Sequence, residues 1–312
     1  MRKRLSIMTP CYNEEAGIRE CYERIKEVFE SRLSQYDYEH IFIDNASTDK
    51  TVDILKNIAA ADKKVRIIVN SRNFGLSRSP YYGMLQMSGD AVIPVVADLQ
   101  TPPEVIPEFV RKWEEGYKMV LGVRTGMEEG RLSRWTRNTF YRVITRLSNV
   151  EQVKHFIGFG LLDRHIIEIL KALDDPSPYL RGLVSEIGFE KALVEYHQPP
   201  RKHGKSRHSF FDLLELALLG LTSYSKAPLR LMTIIGFVVA CLSLVAAVGY
   251  FIVKLVFWRS LSIGMAPILI GTFFFASIQL LCLGLVGEYV GLIFELVKHR
   301  PLVIEKERIN FD

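Results

Sequence analysis

The sequence predicts an α/β domain followed by two membrane-spanning helices, and two observations support this class. Residues 1–200 hold short β-rich runs that alternate with helical patterns, as in β-α-β units. Residues 201–312 hold two long runs without a charged residue. The first part carries 28 basic and 28 acidic side chains and the second carries 12 and 7, so the net charge of +5 belongs to the second part. These features exclude a disordered chain, a disulfide-stapled secreted domain and a simple cytosolic enzyme.

Five runs are predicted as strands because they are short, rich in β-branched and aliphatic residues, and bounded by polar turns. They are Leu5–Thr9, Ile41–Ile43, Val65–Val69, Ala91–Ala97 and Met119–Val123. A helical pattern follows each run, which indicates that the strands are parallel.

Polar side chains stand where three of these strands end. Glu14 follows the first strand, Asp44 the second and Asp98 the fourth. Ligands bind at the carboxyl ends of the strands in an open parallel sheet, so we expect the three carboxylates to lie near one another. Carboxylates without balancing lysines bind a hard cation such as Mg²⁺ or Mn²⁺, or accept hydrogen bonds from a ligand. Asp98 and Gln100 point the same way from extended chain, which favours a function for Asp98 over capping.

Helix capping is the alternative interpretation of several polar residues in these loops. Asn13 would cap a helix from about Glu15 to Phe29, and Ser47 or Asp49 would cap the next helix. The segment Thr101-Pro102-Pro103-Glu104 has the pattern of a capping box with proline at the helix start, and capping is its predicted role. The glycines lack the spacing of a phosphate or dinucleotide loop.

The two uncharged runs are long enough to cross a membrane. Residues 231–253 and 263–286 contain 23 and 24 residues, and about 20 suffice to cross the hydrocarbon core. Six basic residues precede the first run, two lie between the runs and four follow the second. The positive-inside rule therefore predicts that the N-terminal domain and both termini are cytoplasmic.

Three further expectations concern the ends of the domain and the thiols. Ser209–Leu221 has the pattern of an amphipathic helix on the membrane surface, with packing on the soluble domain as the alternative. The apolar run at the N-terminus is only about four residues, so no signal peptide is expected. The four cysteines lack the spacing of metal ligands and are expected to be reduced thiols.

Seven motifs, in the same order along nearly the whole chain, give it a family resemblance. They are Thr9–Glu15, Asp44–Asp49, Arg72–Gly75, Ala97–Pro103, Arg201–Ser206, Ser225–Arg230 and Gly287–Tyr289, with Arg300-Pro301 beyond them. The chain resembles the family 2 glycosyltransferases of the polyprenyl-phosphate type, which include dolichol-phosphate mannose synthase and bactoprenol glucosyl transferase. The resemblance implies a GT-A (Rossmann-like) nucleotide-sugar domain, then interfacial amphipathic helices and two transmembrane helices. The predicted organisation is a catalytic domain at 1–208, an interfacial segment at 209–229, spans at 230–254 and 263–287, and a cytoplasmic tail at 288–312.

The resemblance also implies roles for particular residues. Donor-binding roles fall on residues of the strand-end motifs: Pro10, Tyr12, Asn13, Glu14, Asp44, Asn73, Asp98, Gln100 and Arg124. Asp98 and Gln100 match the segment that binds a divalent metal, Mg²⁺ or Mn²⁺. Arg201, Lys205 and Ser206 match the basic loop that binds the acceptor phosphate, and Asp98 and Arg201 are the implied catalytic residues.

Three positions depart from the family pattern. Val96 stands where relatives often have a first metal-binding aspartate, and Asn45 stands where they have the second aspartate of the base-binding pair. Gly160 stands in place of an arginine that contacts the donor phosphates in many relatives. Nearby Asp163 and Arg164 would either face the site or begin a helix.

The implied reaction is the inverting, metal-dependent transfer of a sugar from a nucleoside-diphosphate sugar to a membrane polyprenyl phosphate, such as undecaprenyl or dolichyl phosphate. The implied location is the cytoplasmic face of the cell membrane, with no nucleic-acid partner. Gly284 and Gly287 permit close helix packing, as in a homo-oligomer. Two alternatives are a processive polysaccharide synthase and a non-catalytic membrane scaffold or sugar-lipid binding partner. A separate and simpler interpretation of the basic residues after 200 is that they serve only topology and the binding of anionic lipids.

Overall fold

The architecture is that of a computed structural model, which describes residues 2–125, 153, 155–199, 227–256, 265–298 and 300–311. The strands are β1 (Arg4–Cys11), β2 (Asp37–Asp44), β3 (Val65–Asn70), β4 (Ala91–Pro94), β5 (Met119–Thr125), β6 (Phe156–Asp163), β7 (Lys191–His197) and β8 (Glu305–Ile309). The helices are α1 (Ile18–Arg32), α2 (Thr51–Ala61), α3 (Gly75–Leu85), α4 (Ile106–Glu114), α5 (Arg164–Leu173), α6 (Leu180–Glu186), α7 (Ala227–Val256) and α8 (Met265–Val297). A short 3₁₀ turn, Pro103–Val105, precedes α4. The predicted amphipathic helix at Ser209–Leu221 lies outside the described residues.

The described strands form a single mixed sheet in the order β7-β5-β6-β4-β1-β2-β3-β8. Strands β4, β1, β2 and β3 are parallel neighbours, and β7 is parallel to β5. Strand β6 is antiparallel to both β4 and β5, so all five predicted strands run in one direction. The prediction of parallel β-α-β units is confirmed, and the carboxyl ends of β1, β2, β3, β4 and β5 lie at one edge.

Helices cover both faces of the sheet, which explains why its central strands are apolar on both sides. Leu5 and Ile7 of β1 pack with α1 and α4 on one face, and Met8 packs with α3 and α5 on the other. In β2, Phe42 contributes to the cluster with α2, whereas Ile41 and Ile43 face α3. The alternation along each strand therefore fills two cores, and the loops at the sheet edge are left to form a site.

The C-terminal part contains the two predicted apolar helices and one element that was not predicted. Two stretches of helix, Pro228–Val253 in α7 and Ile270–Val297 in α8, are long and apolar enough to cross a membrane. The second helix continues about three turns past the predicted end at 287. The segment predicted as a tail then forms β8, which pairs antiparallel with β3 and closes that edge of the sheet.

Candidate active site

The loops after β1 and β2 are hydrogen-bonded to each other along their length. The Asn13 amide N–H donates to Ser47 Oγ at 2.8 Å, and Asn13 Oδ1 accepts from Thr48 N at 2.7 Å. The Glu14 N–H donates to Thr51 Oγ1 at 2.8 Å. The capping interpretation of Asn13 is wrong, because α1 begins at Ile18 without a side-chain cap. Asn13 instead holds two strand-end loops together.

Asp44 lies at the end of β2 and is completely buried. Its carboxylate accepts from the Ser47 backbone N–H at 2.9 Å and from Ser47 Oγ at 2.5 Å. Burial raises the pKa of Asp44 above its usual value, although the hydrogen bonds from Ser47 act in the opposite direction. The geometry therefore gives Asp44 a role in shaping its own loop, and its predicted contact with the donor stays a prediction.

The carboxylates singled out from the sequence raise the pKa values of two buried thiols: Asp44 acts on Cys11, Asp98 on Cys21 and Glu14 on both. Burial raises the pKa of Cys11 first, and the charges of Asp44 and Glu14 add to that effect. Burial likewise raises the pKa of Cys21 to about 12, with smaller contributions from Asp98 and Glu14. Cys11 Sγ lies 3.8 Å from Asp44 Oδ1. Glu14 and Asp98 lie in the loops after β1 and β4, at the same edge of the sheet, and the grouping of the three carboxylates around one ligand stays a prediction.

Asp98 and Gln100 lie in a tight loop after β4. Both are half-buried, whereas Leu99 between them is buried in the core and has a left-handed φ of 57°. The Gln100 N–H donates to Asp98 Oδ1 at 3.1 Å. This conformation turns Leu99 inwards and leaves the carboxylate and the amide as the polar groups of the loop.

Thr101 closes this loop. Its Oγ1 accepts a hydrogen bond from the Val96 N–H at 3.1 Å, and the residue is 1% exposed. The capping-box interpretation is therefore wrong: the 3₁₀ turn follows Pro102 without a side-chain cap, and Glu104 pairs with Arg24 of α1. Sequence reasoning missed the role of Thr101, because the hydroxyl bonds to a backbone N–H five residues earlier.

Among the described residues, four of the six non-glycine residues with a left-handed φ lie at the same edge of the sheet. Asn13, Ala46 and Leu99 have left-handed φ values of 54°, 62° and 57°, and they lie in the loops after β1, β2 and β4. His155, with a φ of 63°, precedes the antiparallel strand β6 and so lies at this edge as well. Such conformations cost about 1–3 kcal/mol each and cluster where a fold holds a functional site.

A divalent cation is compatible with the chemistry of the Asp98 loop. A carboxylate oxygen and an amide oxygen are hard ligands of the kind that Mg²⁺ prefers. Within the described residues, no group of three or more His, Cys, Asp or Glu side chains is placed to hold a metal. Mg²⁺ usually keeps several waters and takes further ligands from substrate phosphates, so Asp98 and Gln100 fit a metal shared with a bound diphosphate.

The remaining predicted donor residues lie at the same edge. Pro10 pairs with Ile43 in the sheet, and Tyr12 in the following loop is 37% exposed. Arg124 lies near the end of β5, opposite Tyr196 of β7, and donates to Gln198 Oε1 at 2.8 Å. Arg201, Lys205 and Ser206 lie outside the described residues.

Asn73 joins the loop after β3 to the loop after β2. Its Oδ1 accepts from Asn45 Nδ2 at 2.9 Å and from the Gly75 N–H at 2.8 Å. From the sequence, Asn45 was noted only because relatives have an aspartate at this position, the second of the base-binding pair. The structure shows a buried amide with partners on both sides.

Gly160 cannot carry a side chain in this sheet. A Cβ at this position would lie 2.3 Å from the Val120 carbonyl oxygen, closer than side-chain carbons approach any atom. Strand β5 also shifts register beside it, between Leu121 and Val123. The close approach of β5 and β6 therefore explains why position 160 has no arginine side chain to contact the donor phosphates.

Asp163 and Arg164 do not face the site. Asp163 pairs with Ala91 at the start of β4, which is the opposite end of that strand from Asp98. Its carboxylate caps α5 through the His165 N–H and accepts from Trp113 Nε1 at 2.7 Å. Arg164 donates to the Met87 carbonyl. Of the two interpretations left open by the sequence, the helix-start role is confirmed.

A Rossmann-like sheet with carboxylate and amide groups in the loops at its carboxyl edge is the GT-A architecture of glycosyltransferases. Residues 6–168 match the family described as Glycosyl transferase family 2. The bactoprenol glucosyl transferase of Shigella phage SfV is 36% identical over 304 residues, which is 97% of this chain and 98% of that protein. The glycosyltransferase YkcC of Bacillus subtilis (strain 168) is 35% identical over 98% of this chain and 94% of its own length.

A solved structure, glucosyl-3-phosphoglycerate synthase from Mycobacterium tuberculosis, is 20% identical and covers 70% of this chain and 76% of its own, with a TM-score of 0.45. The chain belongs to glycosyl transferase family 2, and it is a glycosyltransferase.

Proposed function

We propose that this glycosyltransferase transfers a sugar from a nucleoside-diphosphate sugar to a polyprenyl phosphate at the cytoplasmic surface of the cell membrane. The observation that carries the proposal is the likeness to the phage bactoprenol glucosyl transferase, which extends through both apolar helices and over 97% of this chain. A likeness confined to the sheet would support a sugar transferase but would not indicate a lipid acceptor.

The donor would bind at the carboxyl edge of the sheet. Pro10 lies near the end of β1, Tyr12 and Asn73 lie in the loops after β1 and β3, and Arg124 lies near the end of β5. In open α/β sheets this crevice is the ordinary ligand site. Asp98 and Gln100 would hold Mg²⁺ or Mn²⁺ together with the donor diphosphate, and the cation would offset the negative charge of the departing diphosphate.

The acceptor would be a lipid phosphate held by the basic segment that precedes α7. Arg201, Lys205 and Ser206 belong to the 201–230 segment, which contains six basic residues immediately before the first apolar helix. Basic residues beside a membrane span attract anionic headgroups, at about 1 kcal/mol for each Lys or Arg. The same segment supplies the cations that would face a diphosphate at the membrane surface, and Arg201 is the main one proposed.

The proposed step is a direct displacement that inverts the anomeric carbon. An oxygen of the acceptor phosphate forms a bond to that carbon while the bond to the donor diphosphate breaks, and the nucleoside diphosphate departs with the electron pair. A phosphate oxygen is already anionic near neutral pH, so the acceptor has little need of a general base. The protein's contribution is then orientation and charge stabilisation, which suits a site made of rigid loops.

The connection between sheet and membrane helices supports a location of both termini on the side of the catalytic domain. Strand β8 follows the second apolar helix and pairs with β3, so the chain returns to the sheet in which it began. Two spans joined by a short link bring the chain back to the side from which it entered. This agrees with the excess of basic residues flanking the two runs.

The experiment is a transfer assay with the purified full-length protein. Radiolabelled nucleotide sugars, undecaprenyl phosphate and Mg²⁺ or Mn²⁺ should give a labelled lipid with at least one donor. Asp98→Asn should reduce the rate by about 100-fold or more, as expected for loss of an electrostatic group at the reacting centre. Asp37→Asn is the matched control, because Asp37 pairs with Arg4 at the opposite end of the sheet.

Three outcomes would contradict the proposal. They are no lipid product with any donor, full activity of Asp98→Asn, and a polymer in place of a single lipid-linked sugar. Donor binding without turnover would instead favour a non-catalytic sugar-binding partner.

A further inference from the structure

The side-chain amide of Asn45 uses both of its ends inside the protein. Its Oδ1 accepts from Phe74 N at 2.9 Å and from Asn70 Nδ2 at 3.0 Å. Its Nδ2 donates to Asn73 Oδ1 at 2.9 Å and to the Gly75 carbonyl at 3.2 Å. The residue is 8% exposed, so these four hydrogen bonds replace water almost completely.

Two backbone groups determine which end of the amide faces which partner. The Phe74 N–H can only donate, and the Gly75 carbonyl can only accept. Rotating the Asn45 amide by half a turn would place two donors together at Phe74 and two acceptors together at Gly75. The orientation is therefore imposed by the main chain of the loop after β3, independently of how other amides are assigned.

An aspartate could not make the same contacts. Both oxygens of an ionised carboxylate accept hydrogen bonds, so one of them would face the Gly75 carbonyl and Asn73 Oδ1 without a proton between them. The site is buried, and Asp44 next to it already has its pKa raised by burial. A second buried carboxylate would therefore add both a desolvation cost and like-charge repulsion.

We infer that Asn45 is a positioning residue, whose amide holds the Asn73–Gly75 segment against the loop after β2. The inference rests on the proposed donor role of Asn73. Gly75, with a φ of 86°, begins α3, so the amide of Asn45 also fixes where that helix starts. Asn45 therefore connects two loops of the proposed donor site, because both its Oδ1 and its Nδ2 form hydrogen bonds within the protein.

The test compares Asn45→Asp with Asn310→Asp. Asn310 is the matched control, because its Nδ2 also donates two hydrogen bonds, in this case to the backbone carbonyls of Ala59 at 2.8 Å and Val65 at 2.9 Å, but it lies beside β8. Both variants lose the same kind of contact and should lower the melting temperature. At pH 8, only Asn45→Asp should raise the KM for the nucleotide sugar identified in the donor panel, by about tenfold, as expected for one or two lost hydrogen bonds.

Lowering the pH should bring the donor KM of Asn45→Asp back towards the wild-type value, because a protonated carboxyl can donate one hydrogen bond to Gly75 or Asn73. The wild-type and Asn310→Asp proteins should not show this recovery. An unchanged donor KM in Asn45→Asp at pH 8, or an equal rise in Asn310→Asp, would overturn the inference.

Hydrogen exchange of the protein without substrate separates this inference from the proposed function. Asn45→Ala removes the amide without adding charge, and it should speed exchange at the backbone N–H groups of Phe74 and Gly75 by at least about tenfold. Exchange in the neighbouring strands β2 and β3 should change much less. If the wild-type protein makes no lipid product, the proposed function fails while this measurement still decides the role of Asn45, and unchanged exchange at Phe74 would refute it.

Discussion

The guanidinium of Arg78 lies 2.9 Å from the carboxylate of Glu295, which joins the first turn of α3 to the last turn of α8. Helix α3 starts at Gly75, directly after the segment that carries Asn73. One short helix therefore contacts both the candidate donor site and the end of the second apolar helix. The pair is partly exposed, so its contribution to stability is expected to be below about 1 kcal/mol, and its main effect is on orientation.

Reversing one charge of this pair should impair use of the lipid acceptor more than use of the donor. Arg78→Glu is expected to lower kcat/KM for undecaprenyl phosphate in proteoliposomes about threefold, because two carboxylates would then repel where the helices meet. The double variant Arg78→Glu/Glu295→Arg should recover most of that loss. Arg111→Glu is the control, because among the described residues Arg111 pairs with Glu108 and Glu115, both in its own stretch of chain. A double variant no better than either single variant would contradict the orientation role.

Removing the Thr101 hydroxyl should loosen the Asp98 loop. Thr101→Val keeps the shape but removes the acceptor of the Val96 N–H, at a cost of about 1 kcal/mol of unfolding free energy, the typical net value of one hydrogen bond. We expect a weaker apparent affinity for Mn²⁺ in the transfer assay, because Asp98 would be held less firmly. Thr101→Ser retains the oxygen and should restore both properties. Equal metal affinity in the valine and serine variants would show that the hydroxyl does not position Asp98.

The buried imidazole of His40 should make stability depend on pH. Burial lowers the pKa of His40 to about 3 from its usual 6.5, and its Nε2 lies 2.9 Å from Thr9 Oγ1. Between these two pH values the unfolded chain binds a proton that the folded chain excludes, so stability is lost as the pH falls from 6.5 towards 3, by about 1.4 kcal/mol per pH unit.

His40→Gln keeps a polar partner for Thr9 but does not titrate in this range. Between pH 6.5 and 4, the free energy of unfolding should therefore fall less steeply for the variant than for the wild-type protein. Parallel curves for the two proteins would exclude His40 as the source of the slope.

Any side chain at position 160 should destabilise the domain. Gly160→Ala would bring a methyl group against the Val120 carbonyl, and we expect a loss of about 1–3 kcal/mol, typical of overpacking. Gly236→Ala, in α7, is the control because nothing lies within 4 Å of its added Cβ. By the same argument, Gly160→Arg should lower stability and should not improve donor binding. A Gly160→Ala protein as stable as wild type would show that β5 and β6 separate at this point.

The strands predicted from the sequence are buried on both faces, whereas β7 and β8, which were missed, expose alternate residues or most of their residues. The five predicted strands were found because each is a short, buried apolar run bounded by polar residues. Strand β7 was missed although Ala192, Val194 and Tyr196 alternate with exposed residues, which is the usual pattern of a half-buried strand. Strand β8 has no such pattern, since Glu305–Ile309 is mostly charged and pairs through its backbone with a strand more than 230 residues away.

In the candidate site, strand direction alone predicts that Glu14, Asp44 and Asp98 stand at the carboxyl ends of β1, β2 and β4, which is where the structure places them. Their grouping into one ligand site stays a prediction. Thr101 was misassigned because a capping box and a loop closure look identical in sequence, and only the position of the Val96 N–H distinguishes them. The partners of a buried polar group are set by tertiary contacts, which no local pattern encodes.

The pairing of β8 with β3 has a consequence for the order of folding. Ile67 pairs with Ile309, so β3 keeps an open edge until almost the entire chain, including both apolar helices, has been synthesised. Closing a loop of this length is an entropically late event, and an open strand edge is a site of aberrant pairing while it waits. The last strand thus makes completion of the catalytic sheet depend on prior placement of the helical hairpin. A chain truncated before Glu305 would retain the site residues but lack the closed edge.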